Sequence, residues 1–236
     1  MNADATALPA VVLAGGLGTR LGALTAERPK PLVEVAGRPF LDWLLTWLAG
    51  TGVRDVLLLA GHLGEQIASF VGDGGRWGLR ASCIVEATPL GTGGALTQAV
   101  SLLPEAFLLV YGDSYLPIDY AAVSQAFSDC GADALMVVYR DPAGVTGVAP
   151  NVSLAGGHVS EYAKGTGGDH THIDAGVVVL TRSVVAELPA GRSALETELY
   201  PALAAAARLA AYPTTQRFYD MGTPSRLRDL ERELCG

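Results

Sequence analysis

Ala10-Val11-Val12-Leu13-Ala14-Gly15-Gly16-Leu17-Gly18-Thr19-Arg20-Leu21 joins a short apolar run to a glycine-rich loop that closes on a cation. Ala10 to Leu13 reads as a buried strand, because a few apolar residues end at once in turn signals. Glycines after such a strand let backbone N–H groups converge on an anion and let its oxygens approach with no Cβ in the way. Arg20 adds a fixed positive charge at the same place. Two familiar phosphate loops do not fit the letters. A dinucleotide fingerprint counted from Gly16 needs glycine where Leu21 stands, and a P-loop needs Gly-Lys-Ser/Thr where the chain has Thr19-Arg20-Leu21. Taken alone, the loop is also compatible with a plain strand-to-helix turn.

Working outward, strand-like and helix-like segments alternate. Phe40 to Ala49 has helical apolar spacing, Val53 to Ala60 reads as a strand, Gly64 to Val71 as a helix and Leu79 to Val85 as a strand. A helix over Gly93 to Leu103 and a strand over Phe107 to Tyr111 follow, the strand running into Gly112-Asp113. This is a βαβ series, and the fold class it predicts is α/β: a Rossmann-like three-layer α/β/α arrangement around a mostly parallel, mixed central sheet.

After a helix over Tyr120 to Cys130 the character changes. Short strands are expected at Ala134 to Tyr139, Gly147 to Val152, His158 to Tyr162 and Ala175 to Leu180, with Gly165 to Asp169 as a flexible link. Ala194 to Arg208 reads as an Ala-rich helix and Pro224 to Leu234 as a last one, with Thr223 as its N-cap. Residues 1–236 read as a single domain, with about 8–115 as a nucleotide-binding half and about 116–236 supplying the second substrate's half.

The formal net charge of −8 argues against a nucleic-acid-binding face, which needs clustered Lys and Arg. No apolar run is long enough for a membrane span. Met1 to Ala7 has no basic residue ahead of an apolar block, so the expected location is cytoplasmic. Cys83, Cys130 and Cys235 lack disulfide or zinc spacing. Monomer and homo-oligomer are both open. The only two lysines are Lys30 and Lys164, and Lys30 lies between Pro29 and Pro31, which stiffen its loop. Asp113 should emerge at the sheet's C-terminal edge, where a hard cation can sit, or serve as an ordinary turn residue. Asp220 offers a second carboxylate, or a cap for the Pro224 helix.

Leu13 to Leu21, with Leu24-Thr25, Pro29-Lys30-Pro31-Leu32, Val35 and Pro39, resembles the opening of the sugar-1-phosphate nucleotidyltransferase family. Glu86-Ala87-Thr88-Pro89-Leu90-Gly91-Thr92-Gly93-Gly94-Ala95 resembles its second nucleotide and sugar segment. Gly112-Asp113 resembles its first metal position and Asp220-Met221-Gly222-Thr223-Pro224 its second, so the likeness spans most of the chain. The resemblance implies a nucleotide-diphospho-sugar transferase fold with a smaller sugar-binding β subregion. It implies transfer of a nucleoside monophosphate from an NTP to a sugar 1-phosphate, with pyrophosphate as the other product and Mg²⁺ as cofactor.

The same resemblance distributes the roles. Leu13, Ala14, Gly15, Gly16, Gly18 and Thr19 would cradle the triphosphate, Arg20 would bind the leaving pyrophosphate, and Lys30 would lie across the phosphates. Asp113 and Asp220 would hold Mg²⁺, and Lys164 would contact the sugar phosphate. Gln66 and the stretch Pro89, Gly91 and Thr92 would border base and sugar, while Glu86, Asp174 and Gly176 would border the sugar ring. Three positions depart from the family pattern: Tyr111 stands for Asn, Ala163 for Glu, and Asp174 for Asn.

Gly15-Gly16 and Pro89 to Gly94 resemble guanylyltransferases, especially those acting on D-glycero-D-manno-heptose 1-phosphate. GTP with heptose 1-phosphate, or mannose 1-phosphate, is therefore the expected pair. Uridylyl, cytidylyl, adenylyl or thymidylyl transfer to another sugar 1-phosphate is the alternative, as is a catalytically silent nucleotide-sugar sensor on the same fold. His170 and His172 read as solvated loop residues rather than metal ligands, and Trp43 and Trp47 as core.

Overall fold

The computed structural model describes residues 6–163, 165 and 169–235, so the expectations for Lys164 and for most of the Gly165 to Asp169 link lie outside the described residues. The first half comprises β1 (Ala10–Ala14), β2 (Glu34–Val35), β3 (Arg38–Pro39), α1 (Phe40–Gly50), β4 (Asp55–Ala60), α2 (Gly64–Val71), β5 (Arg80–Val85), α3 (Gly91–Gln98) and β6 (Ala106–Tyr111). The second comprises β7 (Ser114–Tyr115), α4 (Tyr120–Cys130), β8 (Ala134–Tyr139), β9 (Val152–Ala155), β10 (His158–Tyr162), β11 (Ile173–Thr181), α5 (Arg182–Val185), α6 (Tyr200–Ala205), β12 (Leu209–Thr214), β13 (Tyr219–Asp220) and α7 (Pro224–Cys235).

Nine strands form one sheet in the order β5-β4-β1-β6-β11-β8-β12-β10-β9. The β5-β4-β1-β6 run is parallel throughout, and β12 pairs parallel with β8. β11 runs antiparallel to both β6 and β8, and β9 and β10 extend the far edge antiparallel, so the sheet is mixed and mostly parallel as expected. Successive residues feed opposite faces. Val12, Leu58 and Val110 pack with α1, α2, α4 and α7, while Val11, Leu57, Leu59 and Leu109 pack with α3, α5 and α6. A strand buried on both faces reads as a continuous apolar run, which is why the first half was legible. Among the described residues no helix is long and apolar enough to cross a membrane.

The second half departs from expectation in three places. The strand expected over Gly147 to Val152 begins only at Val152, because Asp141 takes the N–H groups of Val145 and Thr146 and the Thr146 hydroxyl, and Gly147 turns at φ +62°. The helix expected over Ala194 to Arg208 is a π turn at Leu195–Leu199 followed by the short α6; Pro201, with no N–H to donate, sits at its first turn. Leu209–Thr214, for which the sequence pattern predicts no element, is the strand β12 at the middle of the second half's sheet. In the first half, the helix expected over Gly93 to Leu103 ends at Gln98 and passes into a 3₁₀ turn at Val100–Leu102. Thr223 caps α7 as expected, accepting from the Arg226 N–H at 3.4 Å.

Candidate active site

β1 lies between β4 and β6, and the chain leaves the two sides of β1 in opposite directions. The C-terminal ends of β1 and β6 therefore open a crevice, the place where open α/β sheets receive ligands. The glycine loop fills one wall. Gly15 has no room for a side chain, since a Cβ there would lie 2.6 Å from Glu86 Oε1. Gly18 turns at φ +66°, and Thr25 Oγ1 donates to its carbonyl at 3.0 Å, tying the loop's far end down.

β6 delivers Asp113. The Gly112 N–H donates to the Leu13 carbonyl at 2.8 Å, and a Cβ at Gly112 would lie 2.8 Å from that same oxygen, so the chain crosses β1 there without a side chain. Lys30 sits in a 3₁₀ turn, is only 7 % exposed, and places Nζ 2.5 Å from Asp113 Oδ2. The second carboxylate comes from far along the chain through backbone pairing. β13 runs antiparallel to β7 with Asp220 opposite Ser114, and the Met221 N–H donates to the Asp113 carbonyl at 3.0 Å. Asp220 Oδ1 accepts from the Gly222 N–H at 2.6 Å, and its Oδ2 pairs with Arg226 at 3.2 Å.

Three clefts meet at Asp113. The first, of about 280 Å³, is lined by Leu13 to Leu17, Lys30, Glu86, Pro89, Gly91, Thr92, Tyr111 and Arg192. The second, of about 340 Å³, is lined by Arg20, Tyr111, Asn151, Tyr162, Asp174, Gly176, Glu196, Asp220 and Arg226. The third, of about 270 Å³, lies along Gly16 to Arg20 with Lys30 and Gly222. Asp113 lines all three.

Tyr111 divides the first two clefts. Its hydroxyl lies 3.4 Å from Glu196 Oε1 and 3.3 Å from the Tyr200 hydroxyl. Burial holds the Tyr111 and Tyr200 phenols far above their ordinary range, so both stay protonated. Tyr162 donates to Asp174 Oδ2 at 3.3 Å, and burial likewise raises its phenol. Asp174 takes the Gly176 N–H at 2.9 Å, while its own N–H donates to Asn151 Oδ1 at 3.0 Å. Glu86 is pushed above its usual range by burial, partly offset by the Leu90 N–H that donates to its Oε2 at 2.7 Å.

Most residues expected at a site converge here: the glycine loop, Arg20, Lys30, Pro89, Gly91, Thr92, Asp113 and Asp220 surround the clefts, and Asp174 and Gly176 line the second. Two are elsewhere. Gln66 is exposed on α2, donates to the Glu27 carbonyl at 3.1 Å and lines none of the three clefts. Glu86 ends the ladder of β5, with its N–H on the Ala60 carbonyl at 2.8 Å, and faces the first cleft rather than sharing the second with Asp174. Lys164 lies outside the described residues.

Tyr162, Arg192, Glu196 and Arg226 escaped sequence reading. Glu196 was hidden in the presumed Ala-rich helix, and an acid four residues before Tyr200 gave no signal of burial. The His170 and His172 rings bond to Ser153 and Thr171, and the described residues contain no group of three metal-ligand side chains. Trp43 and Trp47 are partly buried structural residues, with indole N–H groups on the Val35 and Ile118 carbonyls.

This geometry has relatives. The chain is 34 % identical over 222 residues to mannose-1-phosphate guanylyltransferase of Mycobacterium tuberculosis, covering 91 % of this chain and 61 % of that protein. It is 31 % identical over 112 residues to D-glycero-alpha-D-manno-heptose 1-phosphate guanylyltransferase of Campylobacter jejuni, covering 48 % of this chain and 50 % of the relative. The chain thus spans about half to three-fifths of the length of these relatives. A crystal structure of HddC from Yersinia pseudotuberculosis complexed with GMP-PN superposes with a TM-score of 0.82 at 27 % identity, covering 96 % of this chain and 99 % of that one. Residues 9–235 match the model of the nucleotidyl transferase family, and the chain belongs to that family.

Proposed function

We propose that the chain transfers a guanylyl group from GTP to the 1-phosphate of a manno-configured sugar, heptose 1-phosphate first and mannose 1-phosphate second, releasing pyrophosphate in the cytoplasm. The observation that carries this reading is the meeting of three clefts at Asp113, with buried Lys30 against it. One cleft suits the nucleoside, one the sugar and one the phosphates between them, so the reacting atoms meet at the carboxylate. The first cleft then draws mainly on about residues 8–115, with Arg192 added from the second half, and the second mainly on about 116–236, with Arg20 and Tyr111 added from the first.

The reaction is in-line attack of a sugar-phosphate oxygen on the α-phosphorus, with cleavage of the bond to pyrophosphate and no covalent intermediate on the protein. Lys30 offers a preorganised ammonium where charge builds in the transition state, and Arg20 supplies a planar cation for the departing pyrophosphate. Asp113, just before β7, and Asp220, in the strand β13 paired with β7, present hard oxygen donors, a donor set that suits Mg²⁺ sharing its remaining positions among phosphate oxygens and water. Mg²⁺ so bound would neutralise charge on the phosphates.

Guanine is favoured by Glu86. Its carboxylate only accepts hydrogen bonds, and guanine alone among the common bases has two adjacent donors, N1–H and the exocyclic amine, on one edge. Uracil and thymine offer one donor between two acceptors, and adenine and cytosine set an acceptor beside their amine. Pyrophosphate release measured with each NTP against a panel of sugar 1-phosphates tests the assignment. Turnover is expected with GTP and a manno-configured sugar 1-phosphate; turnover with another NTP and none with any GTP pair would overturn it.

A further inference from the structure

Glu196 is 8 % exposed and lies in the π turn at Leu195–Leu199, a helical irregularity that recurs at functional sites. Its two carboxylate oxygens serve different walls. Oε2 accepts from the Thr92 hydroxyl at 2.8 Å, and Thr92 lines the first cleft. Oε1 faces the Tyr111 hydroxyl at 3.4 Å, and Tyr111 stands between the first cleft and the second, which Glu196 itself lines. The link is doubled, since the Leu195 N–H donates back to Thr92 Oγ1 at 2.9 Å.

The segment carrying Thr92 has no slack. Ser193 accepts the Gly93 N–H at 3.0 Å and donates to the Leu90 carbonyl at 3.0 Å. A Cβ at Gly91 would lie 2.5 Å from the Ser193 carbonyl oxygen, and one at Gly94 would lie 2.4 Å from the Gly191 carbonyl oxygen. The first turn of α3 is thus locked to the strand-like segment that leads into Glu196. A displacement of the carboxylate cannot be absorbed there, because closely packed elements shift together rather than deform.

We propose that Glu196 is a positioning residue that couples the two substrate clefts: occupancy of the sugar cleft fixes the carboxylate, and through Thr92 and Tyr111 fixes the wall against which the nucleoside rests. Binding of either substrate thereby tightens binding of the other, by the same factor in both directions. The inference rests on the assignment of the two clefts to nucleotide and sugar phosphate made above.

The test is a kinetic matrix in which the KM of GTP is measured at several fixed concentrations of sugar 1-phosphate, and the reverse. In the unaltered enzyme saturation with one substrate is expected to lower the KM of the other about fivefold or more, within the usual range of coupling. Thr92→Val, which removes the hydroxyl from between Leu195 and Glu196, should bring that factor close to one, and Thr92→Ser should restore it. Glu196→Gln should lower it too, and Thr92→Val with Glu196→Gln should lower it no further than either change alone. Melting temperatures identify any variant that has lost its fold, and the Thr92 pair decides the matter if Glu196→Gln does not fold. Turnover with a factor of one in the unaltered enzyme, an unchanged factor in Thr92→Val, or additive effects in the double variant would overturn the proposal while leaving the activity standing. No turnover with any substrate pair would remove the activity and the coupling together.

Discussion

Lys30 and Asp113 are the residues on which the chemistry turns. Asp113→Asn keeps the shape of the side chain and removes its charge, so kcat is expected to fall by about 10²–10³, with some loss of melting temperature because buried Lys30 loses its ion-pair partner; wild-type turnover in that variant would exclude the role given to the carboxylate. Glu86 has a different signature. Burial raises its pKa, so the charged form that accepts the guanine donors appears only at a higher pH than for an exposed glutamate. The KM for GTP should rise as the pH falls through that raised value, and Glu86→Gln should flatten that limb and weaken the preference for GTP. The difference between the two profiles isolates Glu86 from titration of the triphosphate, and identical profiles would reject the assignment. Arg20, Lys30, Asp113 and Asp220 were legible in the sequence because each lies within two residues of a glycine or proline, in motifs whose backbone is constrained. Glu196 and Tyr162 were not, because their partners lie on segments distant in sequence and no local pattern marks a buried polar wall.

Among the elements, α3 carries the tightest constraint. Gly91 adopts φ +75° with the Ser193 carbonyl oxygen where a Cβ would stand, so Gly91→Ala combines backbone strain with a clash. It should cost about 1–3 kcal/mol of stability, read as a lower midpoint in denaturant, whereas Gly131→Ala, at a helix end with open space around it, should cost less. Equal midpoints would contradict the packing described for α3. The strands β1, β4 and β6 were legible because burial on both faces leaves an unbroken apolar run. β12 was not: Leu209-Ala210-Ala211 suits a helix as well as a strand, and only the open ladder beside β8 decides for the strand. Pro201 marks where the presumed helix had to change its hydrogen bonding, although its presence in the sequence does not say that a π turn precedes it.

At the scale of the whole molecule, one sheet runs from the glycine loop's β1 to the far edge at β9, and the return of β13 onto β7 brings Asp220 to Asp113. An acidic chain with a net charge of −8 concentrates Arg20, Lys30, Arg192 and Arg226 around the clefts, so a small phosphorylated substrate finds cations there although the surface as a whole repels anions. That concentration has no counterpart in composition, and only the fold reveals it. The most direct test of guanylyl transfer is phosphorus NMR of the protein with GTP, heptose 1-phosphate and Mg²⁺. Equal accumulation of pyrophosphate and of a two-phosphorus guanosine diphosphate sugar is expected. GTP left intact with heptose and mannose 1-phosphates, under conditions where UTP is consumed with another sugar 1-phosphate, would contradict it.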